Sequence, residues 1–529
     1  MRLRVTALAG LLALALAACS AARGGTPPAS TSDGAGGGTL VVGMTSSDLP
    51  NVDTVLNGQG FEGKRFVGFQ LYEGLTRHDL SRTDGGAPLT GALATSWTHG
   101  DDARTWTFEL RQGVKFHDGT PFDADAVIVN YDRYTKKGDP YATAALQAAA
   151  GEYAGSFASY RKVDDRHVEI VTKSPNGHLP DDVAHLYIVS PAALKKGDFG
   201  KNPVGTGPFR FGSLTPGQRL ELLPFKDYWR GAAKLDKLVL RPIPDPAARL
   251  AALRSGEVDW IEYPSPDDVT ALKDAGFQIS VNGYDHIWYW ILDTAKKPWS
   301  DVRVRRAANY AINRESLAKD LLKGTADPAY QAAPRATGAY DAAGDVYSYD
   351  PAKAKALLAE AGVAGGFETT VVVPTAGSGN LLPVPIAESL QRDLAAVGIK
   401  VTIKTVEWSA LLGDEASGKV PLGADAIAQS TTLFQSEALL PLFLGSGSPF
   451  WTGHYSNKQV DTLFKKAQES PDQTERTASY REALGLVTQD APWLFVVNDR
   501  NPRALAPRVK GLVQPQSWFL DLTTVTVAR

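Results

Sequence analysis

The clearest hydrophobic pattern lies in the second half of the chain, where strand and helix periods follow each other. Residues 369–374 form a β-branched, apolar run that predicts a buried strand. Apolar residues then recur at helical spacing over 385–397, and Gly398 follows where a helix C-cap favours glycine. Residues 399–405 alternate between apolar and polar side chains, as a half-buried strand does. This order predicts a strand–helix–strand unit with a right-handed crossover.

Parallel strands of this kind indicate where a ligand would bind. In open α/β sheets, ligands lie beyond the carboxyl ends of the strands. Two segments leave those ends in this chain, 375–378 and Glu407–Trp408. Trp408 is therefore a candidate pocket residue on topology alone.

An aromatic strand is predicted over Asp285–Asp293. Alternation places Trp288 and Trp290 on one face and Tyr289 on the other. Two interpretations remain open for the two tryptophans. Aromatic side chains in such a strand commonly fill a core, whereas tryptophan also offers a binding cleft a large, rigid contact area.

The first half of the chain is dense in turns and short strands. A strand is predicted at Thr39–Met44, and Trp106–Leu110 alternates between apolar and polar residues. Residues 115–127 read as a strand, an Asp-Gly turn and a helix whose N-cap is Asp123. Strands and helices are mixed throughout, which predicts an α/β protein. A chain of 529 residues is long enough for two or three domains.

The N-terminus resembles an export signal, 1–18, followed by a lipid attachment site. Two arginines precede an apolar stretch, Val5–Ala18, that is short for a membrane span. Residues 16–19, Leu-Ala-Ala-Cys, resemble a bacterial lipobox, in which the cysteine receives a diacylglyceryl group. Cys19 is the single cysteine of the chain, so we expect a tether and no disulfide. Residues 19–38 are expected to form a flexible lipidated linker; an ordinary signal peptide with a chance cysteine is the alternative.

Charge and motif content argue against several functions. The formal net charge is −3, so no basic footprint points to nucleic acid. His117-Asp118 lacks the further ligands that a metal site needs, and the glycine-rich segment 203–208 lacks the Lys-Ser/Thr of a phosphate loop. Neither a nucleophile elbow nor an HExxH pair occurs. We therefore expect no cofactor, no metal and no catalytic residue, and a hydrolase assembled from distant residues is the remote alternative.

Several motifs resemble family 5 of the bacterial extracellular solute-binding proteins, which are the oligopeptide, dipeptide and nickel receptors of ABC importers. The long first signature spans Thr105–Val127 and follows Ala92–Trp97. Residues 204–209, 302–314 and 350–362 resemble further motifs of this family. The resemblance runs in order from about residue 39 to the end of the chain.

This resemblance implies an α/β, two-lobed periplasmic-binding-protein-like fold of type II, cluster C, with an extra subdomain in the first lobe. It places the first lobe at 39–284, with the subdomain at about 59–174, and the second lobe at 285–493. The chain is expected to return to the first lobe over 494–529. The family mechanism implies that the lobes close on the ligand by a hinge motion.

Family positions carry over, residue by residue, as candidate ligand-binding residues. Tyr141 matches a ligand-facing tyrosine, and Trp408 matches a pocket tryptophan. Trp288 and Trp290 match an aromatic run at the lobe crossing. Asn498 falls near a tyrosine position on the return strand.

One departure concerns the acidic residue that, in the peptide receptors, pairs with the peptide α-ammonium. Leu433 or Phe434 occupies that position here, and Phe434 is a ligand-binding candidate. A buried ammonium without a counter-charge is costly, so tight recognition of a free peptide N-terminus is not expected. Glu437 would substitute only with a shifted loop. A blocked, longer or non-peptide ligand with apolar or ring-shaped parts is the alternative.

The predicted function is capture of peptides, or of a peptide-like solute, by a lipid-anchored substrate-binding protein of an ABC importer. The expected partners are the permease and its ATPases, the ligand, and the membrane through Cys19. We expect a monomer at the outer face of the cytoplasmic membrane, with no nucleic-acid partner. Oligosaccharides and metal chelates are alternative cargoes within the family, and a signalling or chaperone-like surface protein is a further class.

Overall fold

The structure is a computed structural model that describes residues 37–45, 63–377, 379–432 and 437–528. Three positions singled out above, Cys19, Leu433 and Phe434, lie outside these residues. Within the described ranges, no helix combines the length and the apolar character needed to cross a membrane.

Strands occur along most of the chain and are numbered in chain order. They are β1 Thr39–Met44, β2 Thr76–His78, β3 Leu89–Gly91, β4 Ala94–His99, β5 Thr105–Leu110, β6 Phe157–Asp164, β7 His167–Thr172, β8 Phe209–Thr215, β9 Arg219–Pro224, β10 Lys237–Pro242, β11 Trp260–Glu262, β12 Gln278–Ser280, β13 His286–Leu292, β14 Ala326–Pro328, β15 Phe367–Pro374, β16 Ile399–Val406, β17 Ala426–Thr432, β18 Trp493–Asp499, β19 Arg503–Leu505, β20 Val509–Lys510 and β21 Thr526–Val527.

Helices fill much of the sequence between the strands. They are α1 Phe69–Leu71, α2 Ala124–Thr135, α3 Ala144–Ala154, α4 Leu179–His185, α5 Pro191–Lys196, α6 Pro246–Ser255, α7 Pro266–Asp274, α8 Val302–Ala311, α9 Arg314–Ser316, α10 Pro351–Glu360, α11 Pro383–Ala395, α12 Trp408–Ala416, α13 Leu440–Leu444, α14 Lys458–Glu469 and α15 Gln473–Asp490. Short π or 3₁₀ turns occur at Lys64–Gly68, Leu317–Leu321, Ala342–Gly344, Pro421–Gly423 and Glu437–Leu439.

A seven-stranded sheet organises the first part of the chain, in the order β12-β19-β11-β1-β10-β9-β8. β1 is parallel to both β10 and β11, while β19 is antiparallel between β11 and β12. Leu40, Val42, Leu240 and Trp260 are fully buried in the core on this sheet. We name the residues packed on this sheet the first lobe.

A six-stranded sheet organises the second lobe, in the order β14-β18-β13-β17-β15-β16. The predicted strand–helix–strand unit is confirmed, because β15 and β16 pair in parallel and α11 lies between them in sequence. Ile386, Leu390 and Leu394 of α11 are buried in the core. Gly398, just before β16, has a φ of +96°, a conformation that favours glycine.

The chain crosses between the two sheets twice. It leaves the seven-stranded sheet after Ser280 and enters the six-stranded sheet at His286. It leaves the six-stranded sheet after Asp499 and re-enters the seven-stranded sheet at Arg503. The return is later than the expected residue 494, because β18 pairs with β13 and β14 and so belongs to the second-lobe sheet.

A smaller antiparallel sheet, in the order β4-β5-β7-β6, lies within the first-lobe sequence. Together with α2 and α3 it encloses a separate core that includes Trp106, Phe108 and Tyr131. The predicted cap of α2 is confirmed, since the Asp123 carboxylate accepts a hydrogen bond from the Ala126 N–H at 2.9 Å. The subdomain boundaries at about 59–174 stay a prediction.

Candidate functional site

The loops that the strand–helix–strand topology predicts to bind a ligand lie at the carboxyl edge of the six-stranded sheet. β15 is parallel to β16 and β17, so the segments that follow these strands leave from one edge. β13 is antiparallel to β17, which places its first residue at the same edge. We define the second-lobe edge as His286, Gly377, Gly379, Asn380 and Trp408.

Trp408 begins α12 and is half-buried. The preceding Glu407 caps this helix, because its carboxylate accepts a hydrogen bond from the Ala410 N–H at 3.0 Å. Gly377 lies directly against the indole, since a Cβ added there would stand 2.7 Å from Trp408 Cγ. Its φ of +133° also favours glycine. The loop after β15 therefore approaches the indole closely while leaving part of it accessible.

Two buried polar side chains accompany this loop. Asn380 is fully buried, and neither atom of its amide has a hydrogen-bond partner among the described residues. Burial lowers the pKa of His286 to about 3, so its imidazole is neutral at physiological pH. A Cβ added to Gly379 would stand 2.9 Å from His286 Nε2, so the loop also lies against this ring. Because buried amides are nearly always paired, the unpaired Asn380 side chain is an exception at this edge.

The carboxyl edge of the seven-stranded sheet carries charged groups. Because β11 is antiparallel to β19, Glu262 at the end of β11 lies opposite Arg503 at the start of β19. The Glu262 carboxylate accepts hydrogen bonds from Arg65 Nη2 at 2.5 Å, Arg503 Nε at 3.0 Å and the Trp260 indole at 2.7 Å. All four side chains are fully buried. We define the first-lobe edge as Arg65, Trp260, Glu262 and Arg503.

Polar contacts join the two chain crossings. The Tyr284 hydroxyl donates to Asp499 at 2.8 Å, and the Asn501 N–H donates to the other Asp499 oxygen at 2.8 Å. Asn498 Nδ2 donates to the His286 carbonyl at 2.9 Å. Burial raises the pKa of Asp499 to about 6. The outgoing and returning strands are thus bonded to each other where the two sheets meet.

A second set of contacts joins the lobes through α4 and α15. The His178 ring, at the start of α4, and the Tyr480 hydroxyl are 2.9 Å apart. Arg476 donates to the Gly177 carbonyl at 3.0 Å. The two lobes therefore contact each other at the crossings and also through residues that are distant from the crossings in sequence.

The placement of Trp288 and Trp290 corrects their candidacy as ligand contacts. As predicted, they lie on the opposite face of β13 from Tyr289, but both are fully buried in the second-lobe core with residues of α8 and α11. Tyr289 is equally buried on the other face, where its ring stacks on Trp493 with centroids 3.8 Å apart. Both faces of β13 are covered, so the alternative in which the tryptophans fill a core holds.

The other candidates have different surroundings. Tyr141 is half-buried against the first-lobe core, and its carbonyl accepts a hydrogen bond from Arg133 Nε at 2.7 Å. Its described contacts are thus within the first lobe. Asn498 is buried at the crossing and holds the His286 carbonyl.

Sequence reasoning missed the charged first-lobe edge and Asn380. One signal was available, because Glu262 directly follows two large apolar residues, Trp260 and Ile261, in a short buried strand. No local pattern predicts the pairing of Arg503 with Glu262, because the two residues are 241 positions apart along the chain.

Two α/β lobes joined by two crossings, with polar and aromatic side chains at the sheet edges that meet there, define a solute-binding protein of the periplasmic-binding-protein type. Residues 88–449 match the family model described as "Bacterial extracellular solute-binding proteins, family 5 Middle". The chain belongs to this family. Within the described ranges, no group of three or more His, Cys, Asp and Glu side chains is placed to hold a metal ion.

Relatives and solved structures agree with this assignment. Heme-binding protein A of Haemophilus influenzae is 31% identical over 468 residues, which cover 84% of each chain. Glutathione-binding protein GsiB of Escherichia coli K12 is 32% identical and covers 82% of this chain and 85% of its own. The Helicobacter pylori periplasmic binding protein DppA, solved with the peptide STSA, is 26% identical with a TM-score of 0.79, covering 94% of this chain and 99% of its own. These relatives are binding proteins, which argues against the hydrolase alternative.

Proposed function

We propose that this chain is the substrate-binding protein of an ABC importer and captures a peptide or peptide-like solute between its lobes. The observation that supports this most is that the carboxyl edges of both sheets lie at the same pair of crossings. Open α/β sheets bind ligands at such edges. A solute between them would contact a half-buried indole, an unpaired amide and a charged cluster.

Capture is proposed to occur by rotation at residues 281–285 and 500–502. Closure would remove water from Trp408 and from the ligand, and tryptophan supplies a large rigid surface at low entropic cost. The Asn380 amide would replace hydrogen bonds that the solute loses to water. A ligand favours the closed arrangement only through contacts that it makes there and not in the open one.

Peptides are the favoured cargo because the relatives include a peptide complex and glutathione-binding proteins. Glu437 is a candidate partner for a peptide N-terminus. Burial, assisted by the negative charges of Asp181 and Asp285, raises the pKa of Glu437. An incoming ammonium would offset these charges. We therefore propose Glu437 in place of the acidic residue that the chain lacks at Leu433 or Phe434.

The anchor and the partners are proposed from the sequence. Lipidation of Cys19 would hold the protein at the outer face of the cytoplasmic membrane, beside a permease and its ATPases. A Cys19→Ser protein is then expected to leave the membrane fraction and to lose the mass of the lipid. Full membrane anchoring of this variant would contradict the tether.

Calorimetry and scattering test the binding function together. We expect titration with the peptide STSA or with glutathione to give saturable heat, and X-ray scattering to show a smaller radius of gyration with the bound peptide. Native mass spectrometry of protein purified without refolding is expected to reveal a co-purified solute. A protein that binds neither probe, carries no solute and keeps one shape under all conditions would contradict the proposal.

A further inference from the structure

A turn of the first lobe lies directly against a turn of the second lobe. The first-lobe turn, 176–178, precedes α4, and the second-lobe turn, 470–472, connects α14 to α15. The Gly177 N–H donates a hydrogen bond to the Gln468 carbonyl, near the end of α14, at 2.7 Å. The two lobes therefore meet through their main chains at a place that is distant in sequence from both crossings.

A side chain at Gly177 is incompatible with this contact. A Cβ added there would stand 1.7 Å from the Ser470 carbonyl oxygen, and its three nearest atoms all belong to Ser470 and Pro471 of the other lobe. The φ of Gly177 is not positive, so its own backbone conformation does not require glycine. The close approach of the second lobe is what requires glycine at this position.

Two side-chain contacts reinforce the contact between the main chains. Arg476 Nη1 donates to the Gly177 carbonyl at 3.0 Å and, within its own lobe, to the Pro471 carbonyl at 2.9 Å. His178 Nε2 and the Tyr480 hydroxyl are 2.9 Å apart. Arg476, His178 and Tyr480 are buried, and a charged donor strengthens a hydrogen bond. One guanidinium thus holds carbonyl groups of both lobes.

The first-lobe turn is fixed to its own lobe. The Asn176 N–H donates to the Ala103 carbonyl at 3.0 Å, and the Asn176 side-chain amide donates to Asp182 at 2.9 Å. Because the turn is held in this way, a rotation of the lobes at the crossings would separate Gly177 from Gln468. A hydrogen bond is lost once its heavy atoms are more than about 3.5 Å apart, so a small rotation breaks the contact.

We propose that Gly177, Arg476, His178 and Tyr480 form a latch that holds the lobes together before a solute binds and thereby raises the affinity of the cleft. The latch itself concerns only the two lobes, and its effect on affinity rests on the proposed function. These four are positioning residues, because they act on the solute through the arrangement of the lobes. Apparent affinity scales with the fraction of the protein in the binding-competent arrangement, so releasing the latch weakens binding.

Small-angle X-ray scattering tests the latch on protein freed of solute by unfolding and refolding. Gly177→Ala places a methyl group against the Ser470 carbonyl, so we expect a larger radius of gyration than in the wild type. Gly151→Ala is the matched control, because Gly151 is exposed in α3 and an added Cβ there has no atom within 4 Å. It is expected to keep the wild-type radius. A wild-type radius in Gly177→Ala overturns the latch.

Hydrogen exchange at the Gly177 amide gives a second measurement, which also serves if Gly177→Ala does not fold. Tyr480→Phe removes only the hydroxyl near His178 and is expected to speed this exchange about 5-fold, the effect of losing one hydrogen bond. Tyr347→Phe is the control, because the buried Tyr347 hydroxyl donates to the Thr488 carbonyl inside the second lobe. Equal exchange rates in the two variants would overturn the contribution of Tyr480.

Calorimetry with the peptide STSA or with glutathione tests the effect on capture. We expect Gly177→Ala to bind about 10-fold or more weakly than the wild type, and Gly151→Ala to bind as the wild type does. Equal or tighter binding by Gly177→Ala overturns the role of the latch in capture. If neither probe binds the wild type but the radius of gyration still depends on Gly177, the peptide cargo fails and the latch stands.

Discussion

The two sheet edges at the crossings differ in charge and in exposure. The first-lobe edge is charged and fully buried, with Glu262 bonded to two arginines and to the Trp260 indole. The second-lobe edge is uncharged, since His286 is neutral, and its Trp408 is only half-buried. The two edges therefore differ in chemistry: one is a buried ionic cluster, and the other carries a partly accessible ring and an amide.

This difference separates a rigid edge from an adaptable one. A buried cluster of ion pairs is rigid, because breaking one pair leaves a buried charge uncompensated. An indole and an amide accept many shapes, because apolar contact and single hydrogen bonds contribute less each.

The largest expected effect tests the charged edge itself. Glu262→Gln removes the carboxylate that Arg65 and Arg503 share inside a fully buried cluster, so we expect a loss of about 3–5 kcal/mol in the free energy of unfolding. Glu257→Gln, which removes a partly exposed pair with Arg241, should cost about 0.5 kcal/mol or less. Urea denaturation measures both. Equal small losses would show that Glu262 does not hold the edge together.

A pH series tests the crossing between the edges. The folded pKa of Asp499, about 6, lies above its ordinary value of 3.8, so ionisation is opposed in the folded state. Stability from this group is therefore highest at low pH and falls by up to about 3 kcal/mol as pH rises from about 4 to about 7. In urea denaturation, Asp499→Asn should remove this dependence of stability on pH. The control Asp227→Asn, at an exposed position, should retain it. A wild-type slope in Asp499→Asn would contradict the prediction.

The adaptable edge predicts a change in affinity rather than in stability. Trp408→Ala should weaken binding of STSA or glutathione by about 1–3 kcal/mol, with little change in the melting temperature of the free protein. Trp97→Ala is the control, because Trp97 packs on the core of the four-stranded sheet. It should lower the melting temperature and leave the affinity measured by calorimetry unchanged. Unaltered affinity in Trp408→Ala would remove this residue from the site.

The smallest and most local effect is expected from comparing alanine substitutions at two separate glycines, Gly377 and Gly113. Gly377→Ala adds a Cβ 2.7 Å from Trp408 Cγ at a φ of +133°, and should cost about 1–2 kcal/mol of stability. Gly113 also has a positive φ but no atom within 4 Å of an added Cβ, so Gly113→Ala isolates the backbone cost. Only Gly377→Ala should also weaken ligand binding. Identical behaviour of the two variants would show that the contact with the indole is unimportant.

Local patterns made part of this molecule predictable. The β15–α11–β16 unit follows from alternation, helical spacing and one glycine, and the position of Trp408 follows from that topology. The burial of Trp288 and Trp290 could not be predicted in this way, because alternation separates the two faces of a strand but does not show whether both faces are covered. The Glu262–Arg503 pair depends on strand order in a sheet, which the local sequence does not encode.

The insertion of β19 between β11 and β12 has a consequence for biogenesis. Every strand of the second lobe lies within residues 286–499, so that lobe is fully synthesised before Arg503 leaves the ribosome. Until then, β11 and β12 each lack a neighbour, and unpaired strand edges promote aggregation. We therefore expect a nascent chain that stops short of Arg503 to depend on chaperones, with a matured second lobe joined to an unfinished first one.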